Sequence, residues 1–446
     1  MKAKTTHRFG TLFSVLTFFI LMSCIAPTQE LNTYTLEEIY RIALEKSEDV
    51  QMADENIKQS KGQLIQARSM LLPKLNLDYT RTHYNKEITL EMPGMEGMMG
   101  MTGVSFEIFP QDTYTATTTL IQPIYMGGMQ WASYGQAKSF HKLTQLSTAK
   151  AKQELLFAVS ALYFQILKAE AELEITNKSL DLAKKQLDVA KALFDAGEVT
   201  TTSVLRAELD LTNGERLLIQ QQNNLKILKK QFSTLVGLTG DFILEKPETP
   251  KPPENELNEL IEIGKRRSLD IQITEKQLST AKLEKRKAYS FFQPSVSASI
   301  IYLNQSAPFP TKEYLAYGIN VNIPIFDGGL GYGSLKEAKS KEQQALLARS
   351  KLLKQNNTDI TQAYLDLQTL SATLETLEKG AELAEKNYQT TTKLFAVGEA
   401  TSLEVSQALT AFDKAQKDLS NLKYDRNLAI LRLKKAIGTF AENYIL

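Results

Sequence analysis

Few side chains in this sequence are of the types that do chemistry, and their spacing is poor for it. The three histidines, His7, His83 and His141, share no ligand spacing with a cysteine or a carboxylate cluster. No nucleophile sits near a base, and no glycine-rich phosphate loop is present. An enzyme is therefore not expected, and no catalytic residue, cofactor or metal site is assigned. The densest chemistry is LEMPGMEGMMGMTG at residues 90–103, which holds five of the eleven methionines. Thioethers suit soft Cu(I) or Ag(I). With no His or Cys among them, the stretch reads as a mobile apolar loop, and metal handling is the alternative.

The single cysteine, Cys24, excludes an internal disulfide. It closes a basic start (Lys2, Lys4, Arg8) and a largely apolar run, LFSVLTFFILM, with no acidic residue before Glu30. Residues 1–24 therefore read as a signal peptide, too short for a membrane span. LMSC resembles a lipoprotein signal in which Cys24 becomes the lipidated first residue, although Met22 departs from the small residue usual there. Ordinary cleavage nearby is the other reading. Either way the mature chain is exported. The 52 basic and 51 acidic residues, net +1, argue against a nucleic-acid partner.

Two motifs give the organisation. IQPIYMGG (121–128) and NIPIFDGG (322–329) lie 201 residues apart. The same offset relates LFDAGEVTTTSV (193–204) to LFAVGEATSLEV (394–405), and Gly237 to Gly438. Upstream, an offset of 221 relates TLEEIYRIALEKSEDVQ (35–51) to ELNELIEIGKRRSLDIQ (256–272). The chain is one unit written twice. The first repeat covers 31–240 and the second 257–446, joined at 241–256 by a linker with four prolines. The first hairpin carries 20 extra residues.

Each unit reads helix, two strands, a very long helix, a tight turn and a helix. Leu155, Val159, Leu162, Ile166, Ala169, Leu173, Thr176 and Leu180 repeat at 4-3-4-3 spacing, and Ile360, Ala363, Leu367, Leu370, Leu374 and Leu377 follow suit. That period predicts coiled-coil packing. Residues 129–196 and 330–397 contain no proline and would make helices roughly 100 Å long. The flanking helices, 36–72 and 203–236, together match that length and are expected to stack beside it.

The strands, 74–82, 113–122, 295–303 and 315–323, alternate apolar with small polar residues, as in Leu75, Leu77, Tyr79 against Asn76, Asp78, Thr80. Hairpins at 74–122 and 295–323 fit a sheet wet on one face, in a soluble protein or a membrane barrel. Pro123 and Pro324 should end strands, and Gly127, Gly128, Gly328 and Gly329 should supply the unusual dihedrals of the strand-to-helix transition. Four strands cannot close a membrane barrel, since eight is about the minimum. Several chains would have to share one.

In these motifs, in order and duplicated over residues 31–440, together with YTLEEIYRIALEKS and LVGL at 235–238, the sequence resembles the TolC-type outer membrane factor family. The resemblance implies a mainly α fold with a small β part, in which duplicated coiled-coil helices continue a β-barrel shared by a homotrimer. It implies an outer-membrane location with a periplasmic helical domain, and the passive exit duct of a tripartite efflux system. The partners would be a periplasmic adaptor and an inner-membrane pump. The alternatives are a type I protein secretion duct and a non-porous periplasmic coiled-coil spacer.

Gly197 and Gly398 permit the tight reversals, Thr200 (or Thr201) and Thr401 can cap the returning helices, and Phe194 and Phe395 should anchor the turns. The resemblance makes Gly197, Glu198, Thr200, Gly398, Glu399 and Thr401, with the two phenylalanines, adaptor-docking tips. It places Glu404 and Gln407 at a pore constriction; a solvated surface role is the other reading of Glu404. A second family acid corresponds to Gln407 and a tip arginine to Ala400, so a weaker electrostatic gate, or a different lock, is implied.

Overall fold

The computed structural model describes residues 32–92, 104–306 and 311–445. Cys24, and residues 93–103 of the methionine-rich stretch, lie outside them. In chain order the elements are β1 (Asn32–Tyr34), α1 (Leu36–Lys46), α2 (Glu48–Ser69), β2 (Lys74–His83), β3 (Ile88–Met92), β4 (Val104–Phe109), β5 (Asp112–Met126), α3 (Met129–Asp195) and α4 (Thr201–Val236). Then follow β6 (Phe242–Leu244), α5 (Leu257–Arg267), α6 (Leu269–Tyr289), β7 (Ser295–Gln305), β8 (Glu313–Asn322), α7 (Leu330–Ala396), α8 (Ser402–Ala436) and α9 (Glu442–Ile445).

The two long helices are present at 67 residues each, about 100 Å of rise. The heptad residues Val159, Ile166, Ala169, Thr176, Leu180, Ala183, Leu187 and Ala190 are buried along α3, and Ile360, Ala363, Leu367, Ala381 and Tyr388 along α7. Shorter helices stack end to end beside them. On the first half of α3, the Tyr40 and Ser160 hydroxyls meet at 2.5 Å, Thr148 Oγ1 donates to the Ala53 carbonyl at 3.0 Å, and Ser60 meets His141 at 2.8 Å. On its second half, Lys229 pairs with Glu170 and Lys191 with Glu208.

The first flanking helix of each repeat, expected to be continuous, is not. Each first flanking helix is two helices, broken at Ser47 and at Ser268, where ψ is 122° and 124°. The breaks stand 221 residues apart, so they belong to the repeat. At Ser47 the hydroxyl accepts from the Val50 N–H and restarts the helix.

The stacked ends meet in a core of Ile39, Tyr40 and Ala43 from α1, Leu156, Val159, Tyr163 and Phe164 from α3, Phe232 and Val236 from α4, and Phe242 and Leu244 from β6. β6 lies inside the stretch expected to be only linker. It pairs in parallel with β1, Asn32 opposite Phe242 and Tyr34 opposite Leu244. Tyr163 Oη ties the two, donating to the carbonyls of Glu245 at 2.5 Å and Tyr34 at 3.3 Å. Tyr163 is buried, so a donor without a carbonyl there would be costly.

The four expected strands form one antiparallel sheet in the order β2-β5-β7-β8. The 20-residue excess of the first hairpin builds a separate pair, β3 with β4.

Candidate functional site: the sheet face and the two helical tips

Register assigns every sheet residue a face, because directly opposed residues share one. Leu75, Leu120, Ile300 and Tyr317 form one row, and Leu77, Thr118, Tyr302 and Leu315 the next. Ala298 with Ile319 and Val296 with Val321 continue that face. On the other face lie Asn76, Thr119, Thr117, Asp78, Ser297, Ser299, Asn320 and Gly318, with Ile121, Ile301, Leu303 and Tyr314 among them, so that face is mixed and mainly polar. The apolar face has no cover: Leu77 is 70% exposed and Tyr317 85%. β2 and β8 are open edges with unpaired backbone groups. Such a sheet suits lipid on one side and water on the other, once further strands pair with its edges.

The sheet passes into the long helices at the two Pro-Ile motifs. All four glycines have positive φ: 61° and 80° at Gly127 and Gly128, 69° and 92° at Gly328 and Gly329. Gly128 and Gly329 are the N-caps of α3 and α7. The prolines do less than expected. β5 runs through Pro123 to Met126, with the pairing to β7 shifting between Pro123 and Tyr125. Pro123 marks a bulge, where a missing donor is tolerated. β8 ends at Asn322, two residues before Pro324.

The sequence reading missed how each junction is locked. In the second, Asp327 accepts from the backbone N–H of Gly329 at 2.9 Å and of Gly331 at 2.7 Å, capping α7. In the first, Met126 stands in place of Asp327, and Gln130 does the work from inside α3. Its Oε1 accepts from Met126 N–H at 2.9 Å and its Nε2 donates to the Ile124 carbonyl at 3.4 Å. The only signal in the sequence is the pair of mismatches at offset 201, Met126 with Asp327 and Gln130 with Gly331.

At the far end both turns close the same way. Glu198 N–H donates to the Leu193 carbonyl and Glu399 N–H to Leu394, each at 2.9 Å, with Gly197 and Gly398 left-handed at φ 78° and 79°. These are Schellman closures. The returning helices differ. Thr401 and Glu404 form a full capping box on α8, whereas Thr200 caps α4 with no side-chain hydrogen bond. The backbone and side-chain hydrogen bonds from Thr401 hold the Glu404 carboxyl below the usual carboxylate range. Glu198, Glu399, Glu404 and Gln407 are exposed.

The two phenylalanines also part company. Phe395 is 1% exposed, in a cluster with Ala183, Leu187, Ala190, Ala207, Tyr388, Val405 and Leu409. Phe194 is 43% exposed. It does not anchor its turn; Leu193, one residue earlier, packs against that cluster instead.

Among the described residues no group of His, Cys, Asp and Glu could hold a metal ion. His83 faces Asp112 at 3.3 Å and His141 bonds Ser60. Among them, too, no helix is long and apolar enough to cross a membrane.

The profile of the outer membrane efflux protein family matches residues 39–238 and 260–439, one segment in each repeat. The chain belongs to the outer membrane efflux protein family. It is similar to outer membrane protein TolC of Vibrio cholerae, 23% identical over 396 residues that cover 85% of each chain. It is similar to the proteases secretion protein PrtF of Dickeya chrysanthemi (20%, covering 84% of this chain and 82% of that one). It is also similar to the pyoverdine export outer membrane protein OpmQ of Pseudomonas aeruginosa (23%, 90% and 85%). Among solved structures, the outer membrane protein VceC of Vibrio cholerae superposes with a TM-score of 0.77 at 21% identity, covering 91% of this chain and 97% of that one. The TolC-type fold and the outer-membrane location expected from the sequence both hold. This efflux family member is an outer-membrane channel protein whose long helices form its periplasmic part.

Proposed function

We propose that three copies of the chain close one twelve-stranded barrel, four strands from each, and a helical tunnel beneath it. The assembly is a passive exit duct for small molecules, fed by a periplasmic adaptor and an inner-membrane pump. The observation that carries this reading is the uncovered sheet. It has one apolar face, one mainly polar face and two open edges, and it leads directly into helices of 67 residues. Lipid tolerates no open edge. A coiled-coil spacer would need no such strands.

In this reading the turns at Gly197–Thr200 and Gly398–Thr401 meet the adaptor, with Phe194, the exposed one of the two phenylalanines, available to it. Glu404 and Gln407, exposed and three residues apart on α8, would line the narrow end of the pore. A ring of carboxylates there would favour cations. Cys24 is proposed as the lipidated first residue of the mature chain, and the mass of the mature N-terminus tests that.

Purified protein in a planar bilayer tests the duct. Discrete conductance steps from a trimer support it, and silence from correctly assembled trimers overturns it. Deletion of the gene tests the cargo. Increased sensitivity to small toxic molecules is expected; retention of a secreted protein with unchanged sensitivity would replace this cargo with a polypeptide.

A further inference from the structure

The whole chain is nearly neutral, but its charge is unevenly placed along the long axis. The eleven residues of α2, α3, α6 and α7 nearest the sheet (59–69, 129–139, 279–289 and 330–340) hold nine Lys or Arg and two Asp or Glu. The two acids, Glu284 and Glu337, both pair with Lys341, at 2.7 and 2.8 Å. Among the basic residues, Lys285 pairs with Glu342. No ion pair among the described residues engages Arg68, Lys138, Lys282, Arg286 or Lys336, and all five are exposed.

Helix dipoles account for part of this only. Arg68 and Arg286 lie in the last turns of α2 and α6, where a cation is favoured. Lys138, Lys282 and Lys336 lie beyond the last or first turn, where the dipole has faded. Their common property is height. At 1.5 Å per residue, each lies within about 15 Å of the helix–sheet junction.

Between these charges and the sheet stands a set of exposed rings: Trp131, Tyr289, Phe292, Phe326 and Tyr332. Three of them, Trp131, Tyr289 and Tyr332, are amphipathic, and such rings mark the border between acyl chains and headgroups. The apolar sheet face begins immediately above. Basic side chains immediately below therefore meet the headgroup layer, and the charge they complement is phosphate.

We propose that this basic collar binds anionic phospholipid in the periplasmic leaflet of the outer membrane, with the acyl chains along the apolar sheet face and the phosphates held at separate points, by Arg68 on α2 and by Lys282 and Arg286, four residues apart on α6. The proposal rests on the outer-membrane orientation given above. Each Lys or Arg beside a charged membrane surface contributes roughly five-fold in affinity.

The test uses the full-length assembled protein in detergent, incubated with equal amounts of phosphatidylglycerol and phosphatidylethanolamine and examined by native mass spectrometry. The wild type should retain phosphatidylglycerol preferentially. The variant R68Q/K282Q/R286Q should lose that preference by ten-fold or more, yet keep its oligomeric mass and conductance. A control, K184Q/K185Q/K393Q, removes three exposed lysines near the far end and should behave as wild type. Equal retention of the two lipids by the wild type overturns the proposal, as does an undiminished preference in the collar variant. A preference lost equally in the control overturns it too, because net charge would then explain the effect. Loss of assembly in the collar variant would instead be followed with R68K/K282R/R286K, which keeps the charge. Restored assembly together with restored preference supports the collar; restored assembly without it counts against the collar. Failure to conduct in every variant and in wild type would strike the channel reading and leave the lipid result standing on its own.

Discussion

Glu404 reaches back to Thr401. Its Oε2 accepts from the Thr401 backbone N–H at 2.7 Å and from the Thr401 hydroxyl at 2.9 Å, while Thr401 Oγ1 accepts from Glu404 N–H at 3.3 Å. At the first tip the equivalent residues are Thr200 and Ser203, and no side-chain cap forms. Substitution should therefore be asymmetric. Thr401→Val should speed proteolysis at the second tip several-fold, and Thr200→Val should leave the first nearly unchanged. Equal effects at the two tips would contradict the assignment.

The same pair separates a structural from an electrostatic role. Glutamine also serves in capping boxes, so Glu404→Gln keeps the cap and removes the charge, whereas Thr401→Val does the reverse. If three Glu404 carboxylates ring the pore, Glu404→Gln alone should lower the cation preference measured from reversal potentials. An unchanged reversal potential would remove Glu404 from the constriction.

The cap also sets a pH dependence. The folded-state pKa of Glu404 lies below its ordinary value of 4.5 because of the Thr401 hydrogen bonds. A depressed acid stabilises fully above its unfolded value, and that contribution is lost as pH falls through the folded one. Protection factors at residues 399–405, the exchange rates corrected for the intrinsic pH dependence of amide exchange, should therefore be constant above the ordinary carboxylate range and should fall below it. In Glu404→Gln this acid-dependent component should be absent.

Gly127 and Gly328 occupy equivalent positions with similar strain, φ 61° and 69°. A side chain costs about 1–2 kcal/mol in that conformation, but the surroundings differ. A Cβ at Gly127 would stand 2.7 Å from the Ser290 carbonyl oxygen and 2.9 Å from Gln293 Cβ, while at Gly328 nothing lies within 4 Å. Gly328→Ala should cost the conformational term alone. Gly127→Ala should cost about 1–3 kcal/mol more from overpacking and lower the melting temperature of the assembled protein accordingly. Indistinguishable melting temperatures would refute the close approach of residues 290–293 to this junction.

Tyr163→Phe removes one oxygen and two hydrogen bonds at the waist of the molecule. The expected loss is about 1–3 kcal/mol, since the Glu245 and Tyr34 carbonyls lose their shared donor. Exchange should accelerate at residues 32–34 and 242–244 ahead of the rest of the chain. Uniform acceleration across α3 would mean that the hydroxyl supports the whole core instead.

Long periodic elements were legible in the sequence because each heptad residue repeats one instruction. Val159 through Ala190 place α3, and their partners at offset 201 place α7. Strand alternation placed the sheet and both its faces. Short or context-set features were not legible. β1 and β6, at three residues each, carry no period. The breaks at Ser47 and Ser268 are single dihedral changes inside helical patterns. Phe194 and Phe395 are the same residue in the same motif, and only the packing of neighbouring helices decides which is covered. Pro123 stops no strand because a bulge absorbs its missing donor. At the tips the glycines and Thr401 were legible; the silence of the Thr200 side chain came from Ser203 standing where the other copy has Glu404.

The short β1–β6 ladder also sets the length of a leash. It holds Tyr34 against Tyr163, 34 residues down α3, or about 50 Å from the barrel's lower rim. Cys24 stands eight residues before Asn32, and eight residues stretch to at most about 28 Å. With the headgroup layer beginning about 15 Å below that rim, an acylated Cys24 would draw the connecting chain close to full stretch, and the ladder would bear any pull from the lipid anchor.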